Sequence, residues 1–426
     1  MTGILILVIT LALLVIGVPL FVVLGVATTL CFWLLEGTPL VIMAQQMFST
    51  TDSFPLIAIP FFILAGAIMI NGGIARRLVN FARSIVSWLP GGLGITAIVA
   101  CMFFAAISGS SPATVAAIGM IMLPALLKEG FSENYSLGLL TSAGSLGILI
   151  PPSIPMIIYG IAVGVSVNKL FIAGILPGLF IGLLLAVYTV WTQRHSKAER
   201  IPFDLKNIFH HTVQGFWAIL LPFLILGGIY SGKFTATEAA AVAVVYAFLV
   251  EIFIHKETKI TDIPEIFAQA AMNMGTILII IAIAKSFSQF LTIQMVMYDI
   301  PSLVTDHISS KWAFLLALNI LLLLVGCLMD IISAILILAP LTAPIAKTLG
   351  IDPIHLGIIY IVNLEIGYLT PPIGINLFVS SVIFEKPIFK VIRAVLPFLL
   401  ILLLGLLAVT YVPKLSLFLV GFYKGF

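Results

Sequence analysis

Charge is what this sequence has least of. Asp, Glu, Lys and Arg make up 9% of its 426 residues against 62% hydrophobic ones, and a mean hydropathy of +1.25 excludes a soluble globular domain. Cysteine is scarce too: Cys31, Cys101 and Cys327 are odd in number and lie in apolar segments, which excludes a disulfide framework and leaves them as small core residues. No period-two alternation is present, so a transmembrane barrel is excluded. There is no HExxH sequence. His195, His210, His211 and His255 fall in hydrophilic joins, and no Ser–His pair shares a depth, so nothing supports an intramembrane enzyme. A phosphate-binding P-loop is missing as well, which points to an ion gradient as the energy source. The basic residues occupy short loops without interleaved exposed aromatics, which argues against nucleic acid as a partner.

What the sequence does have is a succession of apolar runs near the roughly 20 residues that span a bilayer as helix, so an all-α integral membrane fold is expected. The first run, Ile4 to Ile16, has no basic residue before it, and Gly17-Val18-Pro19 after it is no cleavage site; a retained helix is expected there. Shifted by 220 positions, the chain matches itself without a gap. Pro124 falls on Pro344, Gly130 on Gly350, Gly147 on Gly367, Pro151-Pro152 on Pro371-Pro372 and Leu176-Pro177 on Leu396-Pro397. Two repeats are therefore expected, residues 1–211 and 212–426, joined near RHSKAERIPFDLKN, each contributing to a scaffold and a transport domain.

Basic residues set their relative orientation, because cytoplasmic loops are enriched in Lys and Arg. Residues 74–90 carry Arg76, Arg77 and Arg83, whereas 294–310 carry Asp299 and Asp306 and no Lys or Arg. That contrast predicts inverted repeats. With 74–90 inside, Lys128, the cluster from Arg194 to Lys206, Lys256, Lys259, Lys386, Lys390 and Arg393 also fall inside. Lys285 stays in or near the membrane, and both termini come out periplasmic. The segment 74–90 itself has basic and apolar faces, as a surface helix would. Thr235 and Glu238 form a capping-box start before the next apolar run.

Residues 91–130 break at Ser108-Gly109-Ser110-Ser111-Pro112, and 311–349 break at Gly326-Cys327-Leu328-Met329-Asp330. Each reads as a re-entrant hairpin, or else as two spans joined by an outside loop. Ser111 before Pro112 has the pattern of an N-cap with proline at the first helical position, so amide donors would face the tip. Asp330 and Glu365 are carboxylates far from any expected membrane edge, where a charge costs on the order of 3 kcal/mol. Asp330 is either a site residue or a loop residue capping a helix, and Glu365 either a buried hydrogen-bonded group or an ion or proton site. Broken helices follow each hairpin: 133–166 is interrupted around Gly144 to Pro152, and 353–385 around Gly367 to Pro372. Double prolines leave carbonyls without intrahelical partners, and paired discontinuous helices in inverted repeats mark transporter binding sites.

Three segments, SGSSPATVAAIG (108–119), TATEAAAVAVVYA (235–247) and NLEIGYLTPPIGINLFV (363–379), resemble the large membrane subunit of tripartite ATP-independent periplasmic (TRAP) transporters, and the resemblance runs the whole length. It implies an elevator-type fold of the ion-transporter superfamily in a bacterial inner membrane. It also implies a small four-helix membrane subunit and a periplasmic binding protein as partners, and import of sialic acid or a C4-dicarboxylate with sodium. A stand-alone dicarboxylate symporter and a passive channel are the rival readings. About two sodium ions and no organic cofactor are expected, on hard oxygen ligands that unwound helices supply. One ion is placed among Ser108, Ser110, Gly147, Ile150 and Pro152, and its mate among Gly326, Asp330, Gly367, Thr370 and Pro372. Substrate is placed between the tips, near Ser111, Asn363 and Asn376.

Overall fold

A computed structural model of the chain describes residues 20–36, 39–51, 53–194, 203–293, 310–372 and 374–423, and every regular element among them is helical. The run Ile4 to Ile16, the Gly17-Val18-Pro19 turn, residues 195–202 of the hydrophilic join, residues 294–309 and both chain ends lie outside the described residues. Among the described residues, seven helices are long and apolar enough to cross a membrane, or nine if each of two bent pairs counts as one span. The protein is therefore an all-α, multi-pass membrane protein.

Helices α1 (Leu20–Leu30), α2 (Leu40–Thr51) and α3 (Ala58–Asn71) precede the amphipathic α4 (Ile74–Val86), which buries Ile74, Leu78, Val79 and Ala82 and exposes Arg76 and Asn80. The buried Glu251 carboxylate accepts hydrogen bonds from the Gly73 N–H (3.0 Å) and the Ile74 N–H (2.8 Å), so it caps the positive end of α4 from afar. His255 is buried beside Glu251 at 3.5 Å, not in an open hydrophilic join as its sequence neighbours suggested. The chain continues through α5 (Gly92–Ser108), α6 (Ser111–Lys128), α7 (Glu133–Ala143) with a further turn at Leu146–Leu149, α8 (Ile154–Val163) and α9 (Val167–Gln193). Next come α10 (Leu205–Gln214), α11 (Phe216–Tyr230), α12 (Ala236–Leu249) and the long α13 (Ile263–Ile293). The last group is α14 (Lys311–Gly326), α15 (Ile331–Thr348), α16 (Pro353–Gly367), α17 (Ile375–Ile383) and α18 (Ile388–Tyr411). The start of α12 has the capping box its sequence announces, with Thr235 Oγ1 accepting from the Glu238 N–H and Glu238 Oε2 from the Thr235 N–H. All three cysteines are buried and free.

Helix bounds recur at the 220-residue offset. Shifting α6 by 220 gives 331 and 348, the bounds of α15; the start of α7 moves onto that of α16, and the end of α8 onto that of α17. The Pro151-Pro152 and Pro371-Pro372 peptides are both cis. The two broken helices, α7–α8 and α16–α17, lie side by side in opposite directions. Glu133 at the start of α7 pairs with Lys386 (2.7 Å) and Lys390 just past the end of α17. Thr141 Oγ1 donates to Ser380 Oγ (2.8 Å) further along, and Tyr159 Oη near the end of α8 donates to the carbonyl of Pro353 at the start of α16 (3.0 Å).

Ion pairs also gather the charged segments onto one face. Glu257 bonds Arg76 (2.7 Å) and Arg77 (2.8 Å), and Arg83 bonds Glu129 (2.6 Å), four residues before Glu133. Each such exposed pair contributes about 0–1 kcal/mol, so their main use here is to show which loops are neighbours. In a cysteine-free background, Asn80→Cys and Glu385→Cys should therefore react with an impermeant maleimide from the same side of the membrane, and Lys347→Cys from the other. Reaction of positions 80 and 385 from opposite sides would break up the charged face.

Candidate functional site

The first hairpin turns at Gly109, whose φ of +58° suits glycine and whose Cβ, if present, would lie 2.9 Å from the Pro152 carbonyl oxygen. The tip sits in the break of the neighbouring helix, because the Ile154 N–H at the start of α8 donates to the Gly109 carbonyl (3.3 Å). Gly147 closes the other side. A Cβ there would fall 2.6 Å from the Ser110 carbonyl oxygen and 2.5 Å from Thr114 Oγ1. Thr114 Oγ1 in turn donates to the Ser110 carbonyl (2.8 Å) and lies 3.2 Å from Ser108 Oγ. Ser108, Ser110, Gly147 and Pro152 are thus brought together, with Ile150 in the same break; Thr114 joins them, and its signal in sequence was its place one helical turn after Ser110.

Ser110, not Ser111, is the cap residue of α6, and it makes no side-chain cap bond. Ser111 begins the helix and its hydroxyl turns the other way.

The second tip repeats the arrangement with different side chains. Gly326 and Gly367 meet backbone to backbone, where a Cβ on Gly367 would lie 2.5 Å from the Gly326 carbonyl carbon. Asp330 caps α15: one carboxylate oxygen accepts from the Ser333 N–H (3.0 Å) and the other from the Ser333 hydroxyl. The Ile331 N–H donates to Tyr368 Oη (3.0 Å), and Thr370 Oγ1 donates back to the Ile366 carbonyl (2.8 Å). Pro372 is exposed in the break. Carboxylate oxygens have four lone-pair sites, so Asp330 can cap its helix and still face a cation. Among the described residues no group of three His, Cys, Asp or Glu could hold a metal ion. The donors present at both tips are carbonyls, hydroxyls and one carboxylate, which suits a hard alkali cation.

One contact ties the two halves together at this depth. Ser111 Oγ donates to Glu365 Oε1 (2.6 Å), and Asn376 Nδ2 donates to the same oxygen (2.8 Å) and to Ser111 Oγ (2.5 Å). Glu365 is 1% exposed. Its second oxygen, with Asn376 Oδ1, has no hydrogen-bond partner among the described residues. The structure thus joins Ser111 and Asn376 around Glu365, but places Asn363 apart from them: its amide donates to Asn319 Oδ1 (2.7 Å) and to the Asn319 carbonyl (3.1 Å).

Beside the first tip lies a cavity of about 440 Å³, bounded by Ser108, Ser110 and Ile154 on one side and by α3 and α13 on the other. Its polar lining is Asn71, Ser108, Ser110, Gln269, Asn273 and Thr276, with no charged side chain. Nothing in the sequence marked the three α13 residues, because neutral polar groups scattered through a 31-residue helix do not break its hydropathy.

A family model for the DctM component of tripartite ATP-independent periplasmic transporters matches residues 7–415. The chain belongs to this family. It is 46% identical to the C4-dicarboxylate TRAP transporter large permease protein DctM of Pseudomonas aeruginosa, over 92% of each chain. It is 36% identical to the 2,3-diketo-L-gulonate TRAP transporter large permease protein YiaN of Escherichia coli, over 94% of each. It is also 41% identical to the isethionate TRAP transporter permease protein DctMQ of Oleidesulfovibrio alaskensis, over 96% of this chain and 65% of that one. Its fold is similar to that of the Alcanivorax borkumensis YdaH transporter, with a TM-score of 0.66 at 15% identity, covering 100% of this chain and 99% of that one. The chain is accordingly a transporter permease subunit and not an enzyme.

For this DctM-family chain, the tip-in-break contacts have a direct test. Gly367→Ala puts a methyl group into the Gly326 backbone and should lower transport at least about tenfold, the equivalent of about 1.4 kcal/mol. Gly227→Ala, whose Cβ meets nothing within 4 Å, should transport like the wild type. Equal activity of the two variants would show that the close approach is dispensable.

Proposed function

We propose that this chain is the sodium-coupled permease of a three-part importer of small organic acids in a bacterial inner membrane. The observation that carries this reading is the pair of helix breaks, each filled by a hairpin tip and set 220 residues apart in antiparallel helices. Such an arrangement fits inverted-topology repeats with re-entrant hairpins, and the unwound carbonyls at 150–152 and 368–372 with Ser108, Ser110, Asp330 and Thr370 fit two sodium sites. The hairpins and broken helices would move together against α3, α12 and α13 as an elevator.

Two features support an orientation. The face where Arg76, Arg77, Arg83, Lys386 and Lys390 gather is cytoplasmic by the positive-inside rule, which would leave both termini periplasmic. The 440 Å³ cavity runs from the tip along α3 to Asn71, two residues before the Glu251-capped end of α4, so it would open inward.

The relatives' names favour a short carboxylic or keto acid such as a C4-dicarboxylate over sialic acid as cargo. The family's description as tripartite and periplasmic favours a small membrane subunit and a periplasmic binding protein as partners. In proteoliposomes holding all three parts, Asp330→Ala and Thr370→Ala should each raise the sodium concentration for half-maximal uptake at least about tenfold. Wild-type sodium dependence in both variants would sink the ion assignment, and full uptake by this chain alone would favour a stand-alone symporter.

A further inference from the structure

The transport reading explains the hairpin side of the 440 Å³ cavity but leaves its opposite wall without a role. On that wall Gln269, Asn273 and Thr276 are spaced by four and three residues, which puts them on one stripe of α13 over a rise of about 10 Å. Their cavity neighbours on the same helix, Ala270 and Ile277, are apolar, and Asn71 extends the polar stripe from α3. Neutral amides inside a span are costly in lipid and are retained where they face a cavity or a partner group. Asn71 donates once to the Ala67 carbonyl (2.9 Å) and keeps its carboxamide at the cavity edge.

A comparison within the protein sharpens the point. A second cavity of about 330 Å³ lies between α5, α9 and α11, and its only side-chain polar group is the Tyr230 hydroxyl. An anion would find no donors in it beyond that one. By contrast, the amide wall offers both donors and acceptors and no fixed charge. Its volume lies in the range of small-molecule sites, with space for water beside a four-carbon acid.

We propose that Gln269, Asn273 and Thr276, with Asn71, form the second half of the substrate site, a neutral hydrogen-bonding wall for the end of the organic acid remote from the first hairpin tip. The proposal rests on the transport reading above. One carboxylate lies by the tip, where the first sodium balances its charge. The remote carboxylate, hydroxyl or keto group meets the amides, which sort acids by hydrogen bonding and not by charge. These side chains are open to the cavity, and a bound acid that covers them without supplying the matching group leaves their amides unpaired, which discriminates strongly, so this wall sets selectivity.

Uptake of labelled succinate and malate by the reconstituted three-part complex tests it. Gln269→Leu and Asn273→Leu should raise the KM at least about tenfold and change the succinate-to-malate preference, with sodium dependence unchanged. An Asn273→Cys variant in a cysteine-free background should react with a maleimide and be protected by succinate plus sodium, a readout that does not depend on turnover. Unchanged KM in the leucine variants, or no protection at position 273, overturns the amide wall while the transport reading stands. If the wild-type complex takes up no organic acid in response to a sodium gradient, the transport reading itself falls.

Discussion

A helix that stops inside a bilayer must hand its unpaired amides and carbonyls to another part of the same protein, since lipid offers no partners. This constraint shapes the centre of the molecule. The Ile154 amide is received by the Gly109 carbonyl, the Ile331 amide by the Tyr368 hydroxyl, the Ser333 amide by Asp330, and the Asn376 amide by the Tyr368 carbonyl. Every one of these bonds joins a hairpin tip to a break, or closes a tip or a break on itself. Glycine makes the approach possible, because at Gly147 and Gly367 any side chain would occupy the space that the facing backbone now fills.

Once the tips are fixed in the breaks, Glu365 becomes intelligible. It sits two residues before Gly367, so the helix that receives the second tip also presents a carboxylate to Ser111 at the start of the helix leaving the first. Asn376, beyond the break, completes the bridge. A buried carboxylate without hydrogen bonds is costly; here two donors converge on one oxygen and hold helices from both halves in register. Displacing Ser111 would expose that cost, which makes the bridge a positional lock between hairpin and broken helix.

Much of this was legible in sequence because prolines and glycines at a fixed offset survive in otherwise interchangeable apolar residues. The hairpin and break positions follow from them, and so does the proximity of Ser108 and Ser110 to Gly147. What sequence does not carry is the direction of a side chain at a helix start. Ser110 and Ser111 are adjacent and chemically identical, yet one takes the cap position of α6 without a side-chain cap bond and the other reaches across to Glu365. Asn363 and Glu365, two apart on one helix, necessarily point to different neighbours, which is why Asn363 binds Asn319 and not the bridge. Long-range partners were equally hidden: nothing near Glu251 in the chain reveals that it caps α4, 178 residues away from Gly73.

The distribution of charge bears on how an anion and a cation would share the centre. Arginines, lysines and their carboxylate partners are gathered in the loops of one face, while the cavity at the first tip is lined only by neutral groups. An organic anion entering that cavity alone would leave water for a site with dipoles but no counter-charge, a transfer that dipoles compensate only in part. A cation at the adjoining carbonyls, as proposed, would supply the missing charge within a few ångströms, where Coulomb attraction is weakly screened. Anion and cation would then stabilise each other's binding by the same free energy, as linkage requires. An arginine in the cavity would have bound the anion without the cation and removed that dependence. The scarcity of charge with which the sequence begins is, at this one site, what would make transport of the acid depend on the ion.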